Sequence, residues 1–145
     1  MLIQLVLAIV MVVMTVTVHL LGLAGLVRLL RARHGLVRRV RKSALTLLLA
    51  ASLGLFALHT LEIWLHAAVY LLVGAAANFE EALYFSTVTY TTLGYGDVVL
   101  AQTWRIFGAI EGATGLMMIG WSTAFLVSIL AQLRLLTHDW LKPDI

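Results

Sequence analysis

Residues 91–97 read TTLGYGD, and this stretch decides how the rest of the chain is organised. Gly94 and Gly96 alternate with larger residues, and glycine adopts left-handed backbone conformations at little steric cost. A strand that alternates right- and left-handed residues points its consecutive carbonyl oxygens in one direction. Several such strands around one axis would form stacked oxygen rings, which replace the water shell of an alkali cation, with the Thr92 hydroxyl adding a further ring. The motif therefore predicts a potassium filter.

The composition on either side of this motif is that of a membrane protein. The chain has 145 residues, of which 62% are hydrophobic and 12% charged, whereas about a quarter of an ordinary soluble domain is charged. Because the chain has no cysteine, disulfide bonds and thiolate metal sites are excluded. We expect a cell membrane protein, in the inner or plasma membrane, with no catalytic chemistry and no cofactor besides K⁺ as the permeating ion.

The amino-terminal half sets the topology. Residues 1–27 lack charged side chains after the terminus and are long enough for an additional N-terminal transmembrane helix, which we expect to be retained because no signal-peptide pattern is evident. Residues 28–42 form a basic loop, which the positive-inside rule places in the cytoplasm. The amino terminus then lies outside. The loop sets topology or also binds anionic lipid, and we expect no nucleic-acid partner. Its basic residues are Arg28, Arg31, Arg33, Arg38, Arg39, Arg41 and Lys42.

The remaining residues predict a pore domain at 43–136. An outer helix at 43–74 runs outward, and Asn78 with Glu81 three residues later forms a capping box that starts a pore helix at 79–90. This helix is too short to cross a bilayer, so it must dip in and return as the filter strand at 92–96. An inner helix at 103–136 then leads to a cytoplasmic tail at 137–145. The expected fold is an all-α membrane protein with three transmembrane helices and a re-entrant pore helix.

From Phe79 to Leu130 the chain resembles the pore-loop potassium channel superfamily, most closely the small bacterial channels with a minimal pore. The resemblance rests on a pore helix, the filter, a following aspartate, Trp104-Arg105 at the start of the inner helix, and inner-helix glycines. It implies a homotetramer, which symmetry also favours because one chain supplies only one filter strand. The ion-binding residues are expected to be Thr92, Leu93, Gly94, Tyr95 and Gly96, with K⁺ at the first four.

The filter needs supports behind it. We expect the Tyr95 side chain to point away from the ions and to pack against Tyr84 and Phe85 of a pore helix. Leu93 stands where the family more often has valine, a small change because this side chain faces away from the ion path.

The filter aspartate, Asp97, also needs a partner. Some relatives hold it with a tryptophan and a carboxylate of the pore helix, but those positions here correspond to Tyr84 and Val88. We therefore expect Glu111 or Trp104 to take that role.

Two glycines of the inner helix are candidates for a gating hinge. Glycine destabilises a helix interior by about 1 kcal/mol relative to alanine, so we expect Gly115 and Gly120 to have a structural or functional role. Gly115 matches the hinge position of the family. Close packing is the alternative, since small residues let membrane helices approach one another.

His59, Glu62 and His66 share one face of the outer helix. Ionisable residues at membrane depth are costly and commonly functional. One interpretation makes them a pH or metal sensor, and another makes the histidines haem or zinc ligands of a membrane enzyme. In the simplest interpretation, Glu62 bonds to a neighbouring helix and the histidines lie near the outer headgroups. His19 is expected only to pack.

These observations predict a potassium-selective channel that passes K⁺ passively through a homotetrameric pore. A weakly selective monovalent cation channel is the alternative in the same class. A membrane haem or metal protein using His59 and His66 is the remote alternative. A potassium uptake transporter subunit is disfavoured, because such chains carry several degenerate copies of the motif.

Overall fold

The computed structural model describes residues 1–36 and 44–132 as four α-helices with no strand in these ranges. They are α1 (Leu2–Leu36), α2 (Ala44–Leu72), α3 (Phe79–Tyr90) and α4 (Arg105–Gln132), and a 3₁₀ turn at Gln102–Trp104 precedes α4. Helices α1, α2 and α4 are long and apolar enough to cross a membrane. The described residues thus confirm the all-α fold with three candidate spans. The predicted end of the inner helix at 133–136 and the tail at 137–145 lie outside them.

The first helix is longer than the sequence indicated. It continues to Leu36, so the predicted boundary at residue 27 is wrong and the first part of the predicted loop at 28–42 is helical. Arginine and leucine are good helix formers, and positive charge alone does not end a helix. The remainder of that loop falls on residues outside the described ranges.

Helix α2 ends close to its predicted limit because of a glycine. Gly74 has a φ of +66°, its N–H donates to Leu71 O at 3.2 Å, and the Ala75 N–H donates to Tyr70 O at 2.8 Å. These two bonds form a Schellman motif, which satisfies carbonyls at the helix end.

Helix α3 has the predicted bounds and the predicted cap. The Asn78 side-chain oxygen accepts a hydrogen bond from the Glu81 N–H at 3.0 Å, and Glu81 Oε2 accepts from the Ala77 N–H at 3.4 Å. With 12 residues, the helix is about 18 Å long, well short of a hydrocarbon core of about 30 Å. Its carboxyl end therefore lies among the other helices rather than at the far side of a membrane.

Two of the long helices, α2 and α4, pack against α3, and α1 packs against α2 and α4 on the other side. The α1–α2 contact is reciprocal, since the Leu58 side chain fills the space beside Gly22 and the Leu26 side chain fills the space beside Gly54. Each small residue thus admits a leucine of the opposite helix, which brings α1 close to α2.

A second close approach joins α4 to the carboxyl end of α3. A Cβ atom on Gly115 would lie 2.2 Å from the Tyr90 carbonyl oxygen, and one on Gly112 would lie 3.3 Å from the Thr89 carbonyl oxygen. At Gly120, by contrast, a Cβ atom would meet nothing within 4 Å. Close packing therefore accounts for Gly115, whereas Gly120 stays the hinge candidate.

We predict that Gly115→Ala strongly destabilises the protein while Gly120→Ala does not. The obstructing atom at Gly115 belongs to backbone, so it cannot rotate away, and overpacking of this kind costs about 1–3 kcal/mol or more. Alanine at the open position gains about 1 kcal/mol of helix propensity instead. Thermal unfolding of the two purified variants in detergent measures the difference. Equal unfolding midpoints would contradict the close contact.

Candidate ion filter and its supports

Residues 92–96 form the candidate filter, called the filter below, and their backbone alternates in handedness. The φ angles are +61° at Thr92, +51° at Gly94 and +79° at Gly96, whereas Leu93 and Tyr95 between them have no positive φ. The left-handed conformations predicted at the two glycines are present. The one at Thr92 was not predicted, because a β-branched residue in this region costs roughly 1–3 kcal/mol and is rare.

The filter strand is anchored to the last turn of α3. The Thr91 N–H donates to Thr87 O at 3.1 Å, the Thr92 N–H donates to Thr89 O at 3.0 Å, and the Gly94 N–H donates to Val88 O at 3.0 Å. These carbonyls lie at the negative end of the helix dipole. The strand therefore folds back over the end of α3 and stays hydrogen-bonded to it. The position of α3 thus fixes the position of the filter.

Tyr84 holds the outer end of the filter. Its hydroxyl donates to Asp97 Oδ2 at 2.6 Å, and the Val98 N–H donates to Asp97 Oδ1 at 3.0 Å. The hydrogen bond from Tyr84 lowers the pKa of Asp97 below its ordinary value, so this carboxylate stays charged. The prediction that Glu111 or Trp104 binds Asp97 is wrong. Tyr84 reaches it because one side of α3 faces the returning strand.

The predicted aromatic packing behind Tyr95 is not made within one chain. The Tyr95 side chain is 69% exposed in the single chain. Phe85 instead packs edge-on against Tyr70, with ring centroids 5.2 Å apart, and Trp104 packs against Phe107 at 6.3 Å. Leu93 is exposed as well. A contact of Tyr95 with a pore helix of another subunit stays a prediction.

Glu111 supports α3 rather than the filter end. This carboxylate is buried on α4, where it accepts hydrogen bonds from the Tyr70 hydroxyl of α2 and, at 2.5 Å, from the Ser86 hydroxyl of α3. It links three helices near the middle of α3. His66 lies beside it, with Nδ1 3.9 Å from Glu111 Oε1.

Glu62 makes the corresponding connection at the carboxyl end of α3. It is fully buried and accepts a hydrogen bond from the hydroxyl of Tyr90, the last residue of that helix. The Nδ1 atoms of His19 and His59 lie 2.9 Å and 3.1 Å from its two oxygens. The expected bond between Glu62 and a neighbouring helix is confirmed, and it involves both α1 and α3.

The histidines that lie together in the structure differ from those that the sequence predicted. His66 is buried and its Nδ1 donates to the Glu62 backbone carbonyl at 3.0 Å. Its place near the outer headgroups stays a prediction. His19, expected only to pack, joins Glu62 and His59 instead. Because His59 is grouped with His19 and not with His66, the membrane enzyme based on His59 and His66 is not supported.

His19 was missed because the sequence alone did not give the bounds of the first two helices. His19 lies 17 residues before Leu36, the end of α1, and Glu62 lies 18 residues after Ala44, the start of α2. In an antiparallel helical hairpin such residues reach the same depth. Two ionisable residues at one depth in a membrane favour pairing with each other.

Comparison with known proteins places this arrangement in a family. The model of the ion channel family matches residues 58–132, which is just over half of the chain. The chain belongs to the ion channel family. The match extends from the second half of α2 through α3 and the filter to the end of α4. No curated protein and no solved structure matched the chain.

The family match covers the part of the chain that surrounds the candidate filter. The matched residues contain α3, Asp97 and both buried carboxylates, Glu62 and Glu111. Helix α1 lies outside the match, and it contributes His19. His19 Nδ1 lies 2.9 Å from Glu62 Oε1, and Glu62 also accepts a hydrogen bond from Tyr90 at the end of α3.

We predict that Tyr84→Phe loosens the outer end of the filter. The variant loses the hydrogen bond from the Tyr84 hydroxyl to a charged acceptor. In single-channel recordings we expect shorter open periods or a lower selectivity among cations than in the wild type.

The matched control is Thr87→Val, which removes a hydroxyl from the same helix. That hydroxyl donates only locally, to Leu83 O at 2.7 Å. If Thr87→Val and Tyr84→Phe alter the currents equally, the bond to Asp97 has no special role.

Proposed function

We propose that this ion channel conducts potassium selectively, passively and as a homotetramer. The observation that carries the proposal is the alternation of φ along residues 92–96. Such a backbone turns successive carbonyl oxygens toward one side, and four copies around an axis supply rings of oxygen at the sites of K⁺. The ion-binding residues are Thr92, Leu93, Gly94, Tyr95 and, at the outer end, Gly96.

Side chains that remain exposed in the single chain support the tetramer. Leu93, Tyr95 and Val99 are exposed apolar or aromatic side chains on the filter segment, and a strand in a membrane protein requires neighbours. Cyclic symmetry supplies the same neighbour to each copy. In the tetramer, Tyr95 packs against a pore helix of an adjacent subunit and holds the filter at its working diameter.

The dipole of α3 assists conduction. Its carboxyl end carries roughly half a negative charge, and the filter strand begins at this end. Four such ends directed at one axis stabilise a cation in a central cavity below the filter. No proton transfer or bond breaking is needed, so the protein acts as a channel and not as an enzyme.

Charge asymmetry supports an orientation in the cell membrane. The basic residues between α1 and α2 place that connection in the cytoplasm, which puts the amino terminus outside and the carboxyl terminus inside. The same basic residues then face the anionic inner leaflet and bind its headgroups.

A weakly selective cation channel is the second candidate. The left-handed φ at Thr92 favours it, because this β-branched residue is strained and keeps its conformation only while its neighbours impose it. Loss of the Thr92 oxygen ring would remove one of the sites that distinguish K⁺ from Na⁺.

Reversal potentials in planar bilayers test the proposal. With K⁺ at unequal concentrations on the two sides and Na⁺ making up the difference, we expect currents that reverse near the potassium equilibrium potential and that barium blocks. We expect Gly94→Ala to lose K⁺ current at least about tenfold, since a Cβ atom at positive φ costs roughly 1–2 kcal/mol in every subunit.

The control is Gly25→Ala, because a Cβ atom there meets nothing within 4 Å and Gly25 has no positive φ. A reversal potential near zero would favour the weakly selective channel. No current from a correctly folded wild type would contradict conduction.

A further inference from the structure

A cluster of metal-ligating groups lies beside the base of the filter. Ligand atoms of His19, His59 and Glu62 all lie within 4.8 Å of one another. The two histidine Nδ1 atoms face opposite oxygens of one carboxylate, at 2.9 Å and 3.1 Å, and the two rings are 5.5 Å apart between centroids. The proposed conduction path does not use this cluster.

The chemistry of these groups is that of a known type of metal site. Two imidazoles and one carboxylate form a ligand set that proteins use for Zn²⁺, and it leaves the fourth tetrahedral position open. The ligand atoms must move apart only slightly from hydrogen-bond distances to surround an ion with bonds of about 2.0–2.2 Å. We propose that His19, His59 and Glu62 form a binding site for Zn²⁺ or a similar divalent transition metal.

Two further observations support the site. The Nε2 atom of His19, the ring nitrogen that does not face Glu62, is buried and has no hydrogen-bond partner in the part of the chain that the structure describes. The ring can therefore turn toward a metal ion without breaking a second hydrogen bond. The His59 side chain is 18% exposed, which leaves a path to the cluster from one side.

Tyr90 connects this site to the filter. Its hydroxyl donates to Glu62 and also lies 3.0 Å from His59 Nδ1, so it adjoins two of the three ligands. Groups that contact metal ligands orient them and are displaced when a ligand turns toward the metal. Tyr90 ends α3, and the filter strand begins immediately after it.

This connection gives a regulatory consequence, which rests on the proposed potassium conduction. A bound Zn²⁺ draws Glu62 away from Tyr90 and replaces a negative charge with a net positive one beside the base of the filter. In a low-dielectric surrounding, such a charge opposes entry of K⁺. Zinc binding therefore lowers potassium current.

Direct measurement of zinc binding tests the site without any measurement of ion flux. The full chain is purified without a polyhistidine tag, stripped with a chelator, and titrated with Zn²⁺ by calorimetry in detergent. We expect one ion per chain. We expect His19→Gln and His59→Gln each to weaken binding by at least about tenfold, the lower limit for loss of even an outer-shell group.

His66→Gln is the matched control. This histidine is also buried on α2, but its Nδ1 bonds to the backbone carbonyl of Glu62 rather than to a ligating side chain of the cluster. We expect this variant to bind zinc as the wild type does. Equal binding by all variants, or no binding by the wild type, overturns the site. If a variant fails to fold, the visible spectrum of the Co²⁺-loaded wild type tests the site instead. The site predicts the spectrum of a four-coordinate ion. The spectrum of a six-coordinate ion with only water ligands overturns the site.

Current recordings with and without zinc separate the two proposals. A zinc-inhibited potassium current that becomes insensitive in His19→Gln supports both the site and its coupling to the filter. Zinc binding together with unchanged potassium current overturns the coupling. Zinc binding by a protein that conducts no ions overturns the proposed function and leaves the metal site in place.

Discussion

Two buried carboxylates hold the pore helix, and the rest of the structure depends on them. Glu62 accepts a hydrogen bond from Tyr90 at the end of α3, and Glu111 accepts one from Ser86 nearer its middle. An unpaired buried charge is very costly, so each carboxylate requires its donors and draws their helices together. Tyr70 and His19 supply donors or partners from α2 and α1. A short helix that cannot span a membrane thereby acquires a fixed place among three that can.

The position of α3 then determines the position of the filter. Two backbone N–H groups of the returning strand, those of Thr92 and Gly94, bond to carbonyls in the last turn of α3, and the Tyr84 hydroxyl binds Asp97 at the outer end. Gly115 allows α4 to lie against the Tyr90 carbonyl. Displacement at either carboxylate is therefore transmitted to the filter through Tyr90 or Ser86. This attachment fixes the geometry of the candidate filter relative to α3, and it connects the proposed zinc site at Glu62 to the proposed conduction path.

Local patterns in the sequence predicted much of this structure, and contacts between distant residues account for what they missed. The bounds of α3 followed from the Asn78 cap, and the φ of Gly94 followed from the lack of a side chain. The bond between Tyr84 and Asp97 depends on how far the strand folds back, which no local pattern specifies. The partner of His19 could not be predicted from the sequence around it, because that partner, Glu62, lies 43 residues away. The left-handed Thr92 runs against residue preference and is imposed by its neighbours.

Anomalous scattering from a heavier potassium analogue tests the central claim most directly. Crystals of the full chain grown in thallium or rubidium salts reveal where a permeant ion rests and how many chains surround it. The account predicts a column of anomalous peaks on a four-fold axis, ringed by carbonyl oxygens of residues 92–96. Peaks absent from this segment, or a segment lying away from any symmetry axis, would contradict it.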